Sequence, residues 1–248
     1  MDYRTLGRTG VKVSPLCLGA MMFGAPTSEQ DSIAIVERAL EAGINFFDVA
    51  DGYNNGEAER ILGRALKGRR DRVVLATKFG VSMGEGPNDV GASRYHLMHA
   101  LHASLRRLDT DCIDVYYIHK FDYATPLEET LRALDDCVRA GKVRYIACSN
   151  FYAWRLVEGL DISRSRGLTQ FACVQPLYNI VNRDPELELL PACVQNGLGV
   201  VSYSPLARGV LSGKYAPGAA PPEGSRAARG DKRIQQTELR EESFAVAQ

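Results

Sequence analysis

Val73-Val74-Leu75-Ala76-Thr77-Lys78 is an apolar, β-branched run that stops at a charged residue. Ile113-Asp114-Val115-Tyr116-Tyr117-Ile118-His119 repeats the pattern further along the chain. Both read as buried strands, and a segment of helical period lies between them at 93–108, with Ser93 as its N-cap. The alternation extends in both directions. Strands are predicted at 15–19, 45–50, 73–78, 113–119, 145–149, 172–176 and 199–204, and helices at 28–42, 55–66, 93–108, 126–140, 152–160 and 186–196. The helices are read as closing on or near glycine, as at Gly43, Gly68, Gly141 and Gly197, because a left-handed cap is least strained there. Strands alternating with helices predict a parallel sheet with crossover helices.

The opening segment, 3–13, has Gly7-Arg8-Thr9-Gly10 at its centre and reads as a β-hairpin outside this repeat. Seven βα-like strands favour a closed barrel over a doubly wound sheet. A Rossmann sheet would carry G-x-G-x-x-G after its first strand, where Gly19-Ala20-Met21-Met22-Phe23-Gly24 stands instead. The expected fold is therefore α/β, a (β/α)8 TIM barrel with an N-terminal β-hairpin and the eighth strand absent from this chain. Past Tyr215 the sequence turns rich in Pro, Gly and Ala through Pro221-Pro222-Glu223-Gly224, then strongly charged to Glu242. Residues 1–248 are expected to form a single barrel domain lacking its C-terminal part, with 217–242 a mobile loop able to fold over a bound cofactor.

Composition narrows the function. The chain is 45% hydrophobic and 24% charged, and its 30 Lys and Arg balance its 30 Asp and Glu. No net field draws it to nucleic acid or an anionic membrane. It has neither a signal peptide's apolar core nor a run near the ~20 residues that span a bilayer, so a cytoplasmic protein is expected. Its six cysteines are scattered among apolar neighbours and read as reduced core residues. No metal site is expected: His96, His99 and His102 share a helix face without further ligands. Assembly into a homo-oligomer is left open.

In α/β barrels the chemistry sits at the carboxyl ends of the strands. The polar residues there are Asp48 and Asp51, then Tyr53 in the following loop, Lys78, His119, Ser149 and Asn150, Gln175, and Tyr203 and Ser204. A lysine at a barrel interior needs a carboxylate, and Asp48 on the neighbouring strand is the natural partner. A phenol beside that ammonium is expected to ionise more easily, which would fit Tyr53 to give and take a proton. His119 could orient a carbonyl. Taken singly, Asp48 could cap a turn, Tyr53 pack over a loop and His119 be a satisfied core histidine. Together the four suit hydride transfer to a carbonyl. Met22, Phe23 and Phe121, with Tyr53 and His119, are the candidate substrate-pocket wall; Met21, Tyr123 and Trp154 border it, and Met21, Met22 and Phe23 could equally be core, as Trp154 could equally pack between helices.

The segment Asn45-Phe46-Phe47-Asp48-Val49-Ala50-Asp51-Gly52-Tyr53 resembles the aldo-keto reductase signature, as do Thr77-Lys78-Phe79-Gly80, Tyr116-Tyr117-Ile118-His119 and 141–150. Gln175-Pro176-Leu177-Tyr178-Asn179 and 203–215 continue the likeness to about Arg226, most closely to the bacterial branch that includes potassium-channel β-subunits. The resemblance implies a catalytic tetrad of Asp48, Tyr53, Lys78 and His119, and NADPH as cofactor. It implies that Ser149, Asn150 and Gln175 meet the nicotinamide carboxamide and that Tyr203 stacks on the ring. Ser204, Pro205, Leu206, Gly209 and Leu211 would line the pyrophosphate, Lys214 and Arg226 would lie near the phosphates, and Gly19, Ala20, Met21 and Asp48 would border the nicotinamide ribose. Nothing matches the family's loop for the adenosine 2′-phosphate. The activity implied is reduction of an aldehyde or ketone, a keto-sugar among the candidates, with no nucleic-acid or membrane partner. The alternatives are an NADP(H)-binding redox-sensing subunit of a larger complex and, ranked last, a metal-dependent hydrolase.

Overall fold

The computed structural model describes residues 1–247. Its main sheet holds seven strands, all parallel, in the order in which the chain makes them: β3 (Cys17–Gly19), β4 (Phe46–Asp48), β5 (Val74–Phe79), β6 (Ile113–Ile118), β7 (Val143–Ser149), β8 (Cys173–Gln175) and β9 (Gly199–Val200). This is the curled, incomplete barrel expected. No eighth strand pairs with β9 among the described residues, and β3 and β9 are the two edges. The predicted hairpin forms, with β1 (Arg4–Thr5) antiparallel to β2 (Lys12–Val13).

Period-2 alternation sorts the strand residues into two cores. Phe46, Val74, Ala76, Val115, Tyr117, Ala147 and Cys173 face inward, where Leu6 and Val13 of the hairpin close over them. Phe47, Leu75, Phe79, Tyr116, Ile118, Ile146, Cys148 and Val174 face outward and meet the helices. Those helices are α1 (Glu29–Glu41), α2 (Glu57–Ala65), α3 (Arg94–Leu108), α4 (Leu127–Arg139), α5 (Ala153–Arg166) and α6 (Leu189–Asn196). In α4, Leu127, Leu131 and Leu134 recur at helical spacing and are buried. Each fully buried Leu or Phe contributes about 1.5–3 kcal/mol. The hairpin turn reaches the far edge of the sheet, where Arg8 N donates to Gly197 O at 2.8 Å.

Three sequence expectations change. The strand predicted at 199–204 stops at Val200, because Pro176 opposite has no N–H to return the bond; Tyr203 N still donates to Pro176 O at 3.0 Å. The helix predicted at 152–160 runs on to Arg166, where Gly167 takes the left-handed cap. No glycine closes α3; Asp109 adopts the left-handed conformation there, which an Asx side chain tolerates.

Two short helices follow β9, α7 (Lys232–Thr237) and α8 (Glu241–Ala247). They belong to a third cluster, in which Ile234 and Ala227 pack with Ala207, Val210 and Tyr215. No helix among the described residues is long and apolar enough to cross a membrane. All six cysteines are free, four of them buried.

Candidate active site

The inward row at the carboxyl ends of β4 to β8 ends in polar residues. Asp48 is in register with Ala76, so Lys78 lies two residues beyond it and not level with it as expected. The long lysine stem bridges the offset. The fully buried Lys78 ammonium donates to Asp48 Oδ1 and, at 2.9 Å, to Val49 O. Gln175 Nε2 donates to the other Asp48 oxygen at 2.9 Å. Burial alone would push the Lys78 pKa down, but Asp48 and Tyr53 together hold it above the ordinary value.

Tyr53 stands over this pair. Three successive residues after it, Asn54, Asn55 and Gly56, take left-handed backbone (φ 49°, 53° and 84°), reversing the chain into α2. Gly56 is required there, since a Cβ would meet Arg107 Cδ at 2.6 Å. The Tyr53 ring lies 5.1 Å from Lys78 Nζ and edge-on to His119, with ring centroids 5.7 Å apart. Its hydroxyl differs from the sequence expectation. Lys78 does pull its pKa down, but burial, aided by Asp48, pushes harder, and the net direction is up. Tyr53 is thus held as the protonated phenol. His119 is driven down to about 3 by burial and by the nearby cations Lys78, Arg233 and Lys120, so the ring is neutral, with one donor and one acceptor nitrogen.

A hydrogen-bonded chain leads from this centre across the strand ends. Ser149 Oγ donates to Gln175 O at 2.7 Å, and Asn150 Nδ2 to Ser149 Oγ at 3.0 Å and His119 O at 2.9 Å. Tyr203 OH donates to Asn150 Oδ1 at 2.9 Å. Beyond Tyr203 the backbone turns left-handed at Ser204, Ala207, Arg208 and Gly209. The Lys214 ammonium lies 3.0 Å from where a Cβ on Gly209 would be. Pro205 and Leu206 are exposed and Leu211 is half-buried beside the third cluster. Arg226 is half-buried, with Asp231 at 3.8 Å.

Not every candidate joins the rim. Phe23 is 3% exposed and packs in the helix-side core with Ala20. Gly19, Met21 and Met22 stay accessible at the end of β3. Phe121 lies over the Arg155 guanidinium at 4.4 Å and lines two concavities of about 430 and 410 Å³, to neither of which a tetrad side chain contributes. Trp154 is exposed and covers the same guanidinium at 3.9 Å. The three helix-borne histidines diverge: His96 bonds Asn88 O, His99 stacks on Tyr95 and His102 meets Lys142.

Sequence reasoning passed over a buried network on the outer face of β5. Glu59 accepts from Thr77 Oγ1 and from Arg107 Nε, each at 2.6 Å. Asp51 lies fully buried beside it; Gly52 N donates to its Oδ1 at 2.6 Å and Oδ2 has no partner. Burial and the Glu59 charge raise its pKa to about 7. Arg233, in the charged stretch read only as loop, also faces the centre; its Nη1 lies 3.7 Å from Met21 Sδ. Asp51 could be named only as one polar residue at a strand end, and nothing along the chain set Glu59 apart from the other charged residues of α2, or Arg233 from its charged neighbours.

Comparison with known proteins adds independent findings. The sequence profile of the Aldo/keto reductase family matches residues 15–248. An uncharacterized oxidoreductase, YrpG of Bacillus subtilis (strain 168), is 42% identical over 99% of this chain and 78% of its own. A probable voltage-gated potassium channel subunit beta of Oryza sativa subsp. japonica is 42% identical over 89% of this chain and 69% of its own. The versiconal hemiacetal acetate reductase of Aspergillus parasiticus is 38% identical over 87% of this chain and 70% of its own.

Proposed function

Because this chain belongs to the aldo/keto reductase family, we propose that it reduces the carbonyl of an aldehyde or ketone with hydride from NADPH, Tyr53 giving the proton. The observation that carries the reading is the convergence of a protonated Tyr53 and a neutral His119 above a lysine whose charge Asp48 balances. The two side chains can share one carbonyl oxygen, His119 as hydrogen-bond donor and Tyr53 as general acid. Lys78 acts on Tyr53 by stabilising the phenolate left after transfer, which is why its ammonium is kept charged despite full burial. Asp48 and Gln175 hold that ammonium in place.

The residues fit a nicotinamide dinucleotide, which supplies the hydride when bound. The Ser149–Asn150–Gln175 chain offers both donors and acceptors for a carboxamide, Asn150 Oδ1 exchanging the Tyr203 hydroxyl for it. Tyr203 would face the ring. Ser204, Pro205, Leu206, Gly209 and Leu211 would border the pyrophosphate, where left-handed turns free backbone N–H groups and Lys214 adds charge. Arg226 would lie near the phosphates, and Gly19, Ala20 and Met21 near the nicotinamide ribose. The substrate lies against Met22 and Phe121. The reductase from Aspergillus parasiticus supports reductive chemistry.

The test is Tyr53→Phe. Turnover of 4-nitrobenzaldehyde should be lost while NADPH still quenches protein fluorescence; full turnover by Tyr53→Phe would end the mechanism. A second reading, an NADP(H)-binding subunit that reports redox state to a partner, draws on the likeness to the rice channel subunit. Saturable NADPH binding without turnover of any simple aldehyde would favour it.

A further inference from the structure

Among the described residues Arg233 has no carboxylate partner. Its short helix is pinned by Ile234, which is fully buried against Ala207, Val210 and Tyr215, and by Asp231, which accepts from Arg233 N at 2.9 Å. That anchorage brings the guanidinium to Met21, with Nη1 3.7 Å from the sulfur, a weak acceptor. Met21 is in turn tied to the catalytic loop: Asn54, next to Tyr53, donates its amide to Met21 O at 3.4 Å and Phe23 O at 2.5 Å.

Three other arginines of the same segment are engaged, while Arg229 is exposed away from any side-chain partner among the described residues. Arg208 pairs with buried Glu238, Arg226 with Asp231, and Arg240 bonds Val181 O and Asn182 Oδ1. No carboxylate among the described residues lies within 4.0 Å of Arg233. The charges acting on His119 are all positive, from Lys78, Arg233 and Lys120. Lys78 is balanced by Asp48; Arg233 and Lys120 are exposed at the mouth. The place where a carbonyl would sit is therefore cationic on the solvent side.

We propose that Arg233 is a specificity-determining residue that binds an oxyanion, carboxylate or phosphate, carried by the carbonyl substrate. The planar guanidinium fork donates two parallel hydrogen bonds to either group, and Met21 holds it over the rim until one arrives. This rests on the carbonyl-reductase reading. A guanidinium serving the cofactor phosphates would use the same chemistry, so the experiment separates the two sources.

Steady-state kcat/KM is measured for two matched pairs, 4-carboxybenzaldehyde against 4-nitrobenzaldehyde and glyceraldehyde 3-phosphate against glyceraldehyde. The wild type, Arg233→Gln, Arg233→Lys and Arg233→Glu are compared after circular dichroism has confirmed folding. The anionic-to-neutral ratio in at least one pair should fall about tenfold in Arg233→Gln, further in Arg233→Glu, and less in Arg233→Lys. The pair that responds identifies the oxyanion. If the ratios hold while both members of each pair slow together, the proposal is wrong. An NADPH fluorescence titration weakened about tenfold in Arg233→Gln would then assign the residue to the cofactor. Should the wild type reduce none of the four aldehydes, the reductase reading itself fails. Calorimetric binding of 4-carboxybenzoate, tested against benzamide, would still decide whether Arg233 holds an anion: selective loss in Arg233→Gln supports it, equal binding by both proteins overturns it.

Discussion

Replacing Asp48 by Asn should strand a charge without removing a hydrogen bond. The Lys78 side chain is 0% exposed, and its partners are Asp48 and Val49 O. An asparagine can turn its carbonyl to Lys78, and Gln175, which now donates to the other Asp48 oxygen at 2.9 Å, can turn its own amide to match. Only the charge is then lost. Removing one partner of a buried ion pair costs about 3–5 kcal/mol. A separate ceiling agrees with this range. The lysine can escape by losing its proton, which from an unfolded pKa of about 10.4 costs at pH 7 about 1.36 × 3.4, or about 4.6 kcal/mol. For a chain of this size Tm should drop by roughly 6–20 °C. In the variant the folded-state Lys78 pKa lies below the unfolded one, so the folded chain binds fewer protons than the unfolded chain. Variant stability should therefore climb by up to about 1.4 kcal/mol per pH unit from pH 7 toward 10, relative to wild type. Urea unfolding followed by circular dichroism at pH 7, 8 and 9 measures this for Asp48→Asn, Lys78→Met and the double variant. With both charges gone, the double variant should return to within about 1 kcal/mol of wild type. Additive losses in the double variant, or an Asp48→Asn deficit indifferent to pH, would refute the charge argument and make packing the cause.

Other consequences follow from the same structure. His119, held at about 3, is neutral across the working range, so log kcat/KM should show no break near pH 6.5, and an acid limb centred there that His119→Gln abolishes would contradict this. Asp51, fully buried with its pKa raised to about 7, keeps a proton in the folded state that the unfolded chain has lost above about pH 4. Its burden therefore grows as pH rises through that window, and Asp51→Asn should stabilise by up to about 4 kcal/mol at pH 8.5 but little at pH 4.5 by urea midpoint; an equal effect at both values would rule out ionisation as its source. Gly7 has φ +56°, and a Cβ there would meet the backbone at Gly199 N (2.5 Å), Ala172 O (2.7 Å) and Gly197 O (2.8 Å). Gly7→Ala should destabilise by about 2–5 kcal/mol, whereas Gly10→Ala, with open space around it, should be near neutral in the same unfolding assay.

Legibility varied with the range of the interaction concerned. The strands β4, β5 and β6 could be read because buried parallel strands are continuous apolar runs, and Lys78 stood out by ending one. Asp48 and His119 could be placed beside it because neighbouring strands in a barrel end at the same rim. The two-residue offset between Asp48 and Lys78 was invisible, since register depends on how two strands pair. The net rise of the Tyr53 pKa was invisible too: an adjacent cation can be inferred from a motif, but the depth of burial opposing it cannot. Phe23 illustrates the same limit, since an apolar residue near the rim can turn to either core, and here it takes the helix side.

By itself the sequence determined the order of strands and helices, the hairpin ahead of them and the strand ends that bear the tetrad. These follow from local periodicity and from residue types that tolerate only certain places. Beyond the Asp48–Lys78 pair, the tertiary structure alone decided which charges neutralise one another. Glu59 meets Thr77 and Arg107 across separate elements, and Arg233 reaches Met21 from the far part of the chain because Ile234 anchors its helix. Electrostatic contacts depend on distance in space, and separation along the chain carries no information about that distance until the cores have packed.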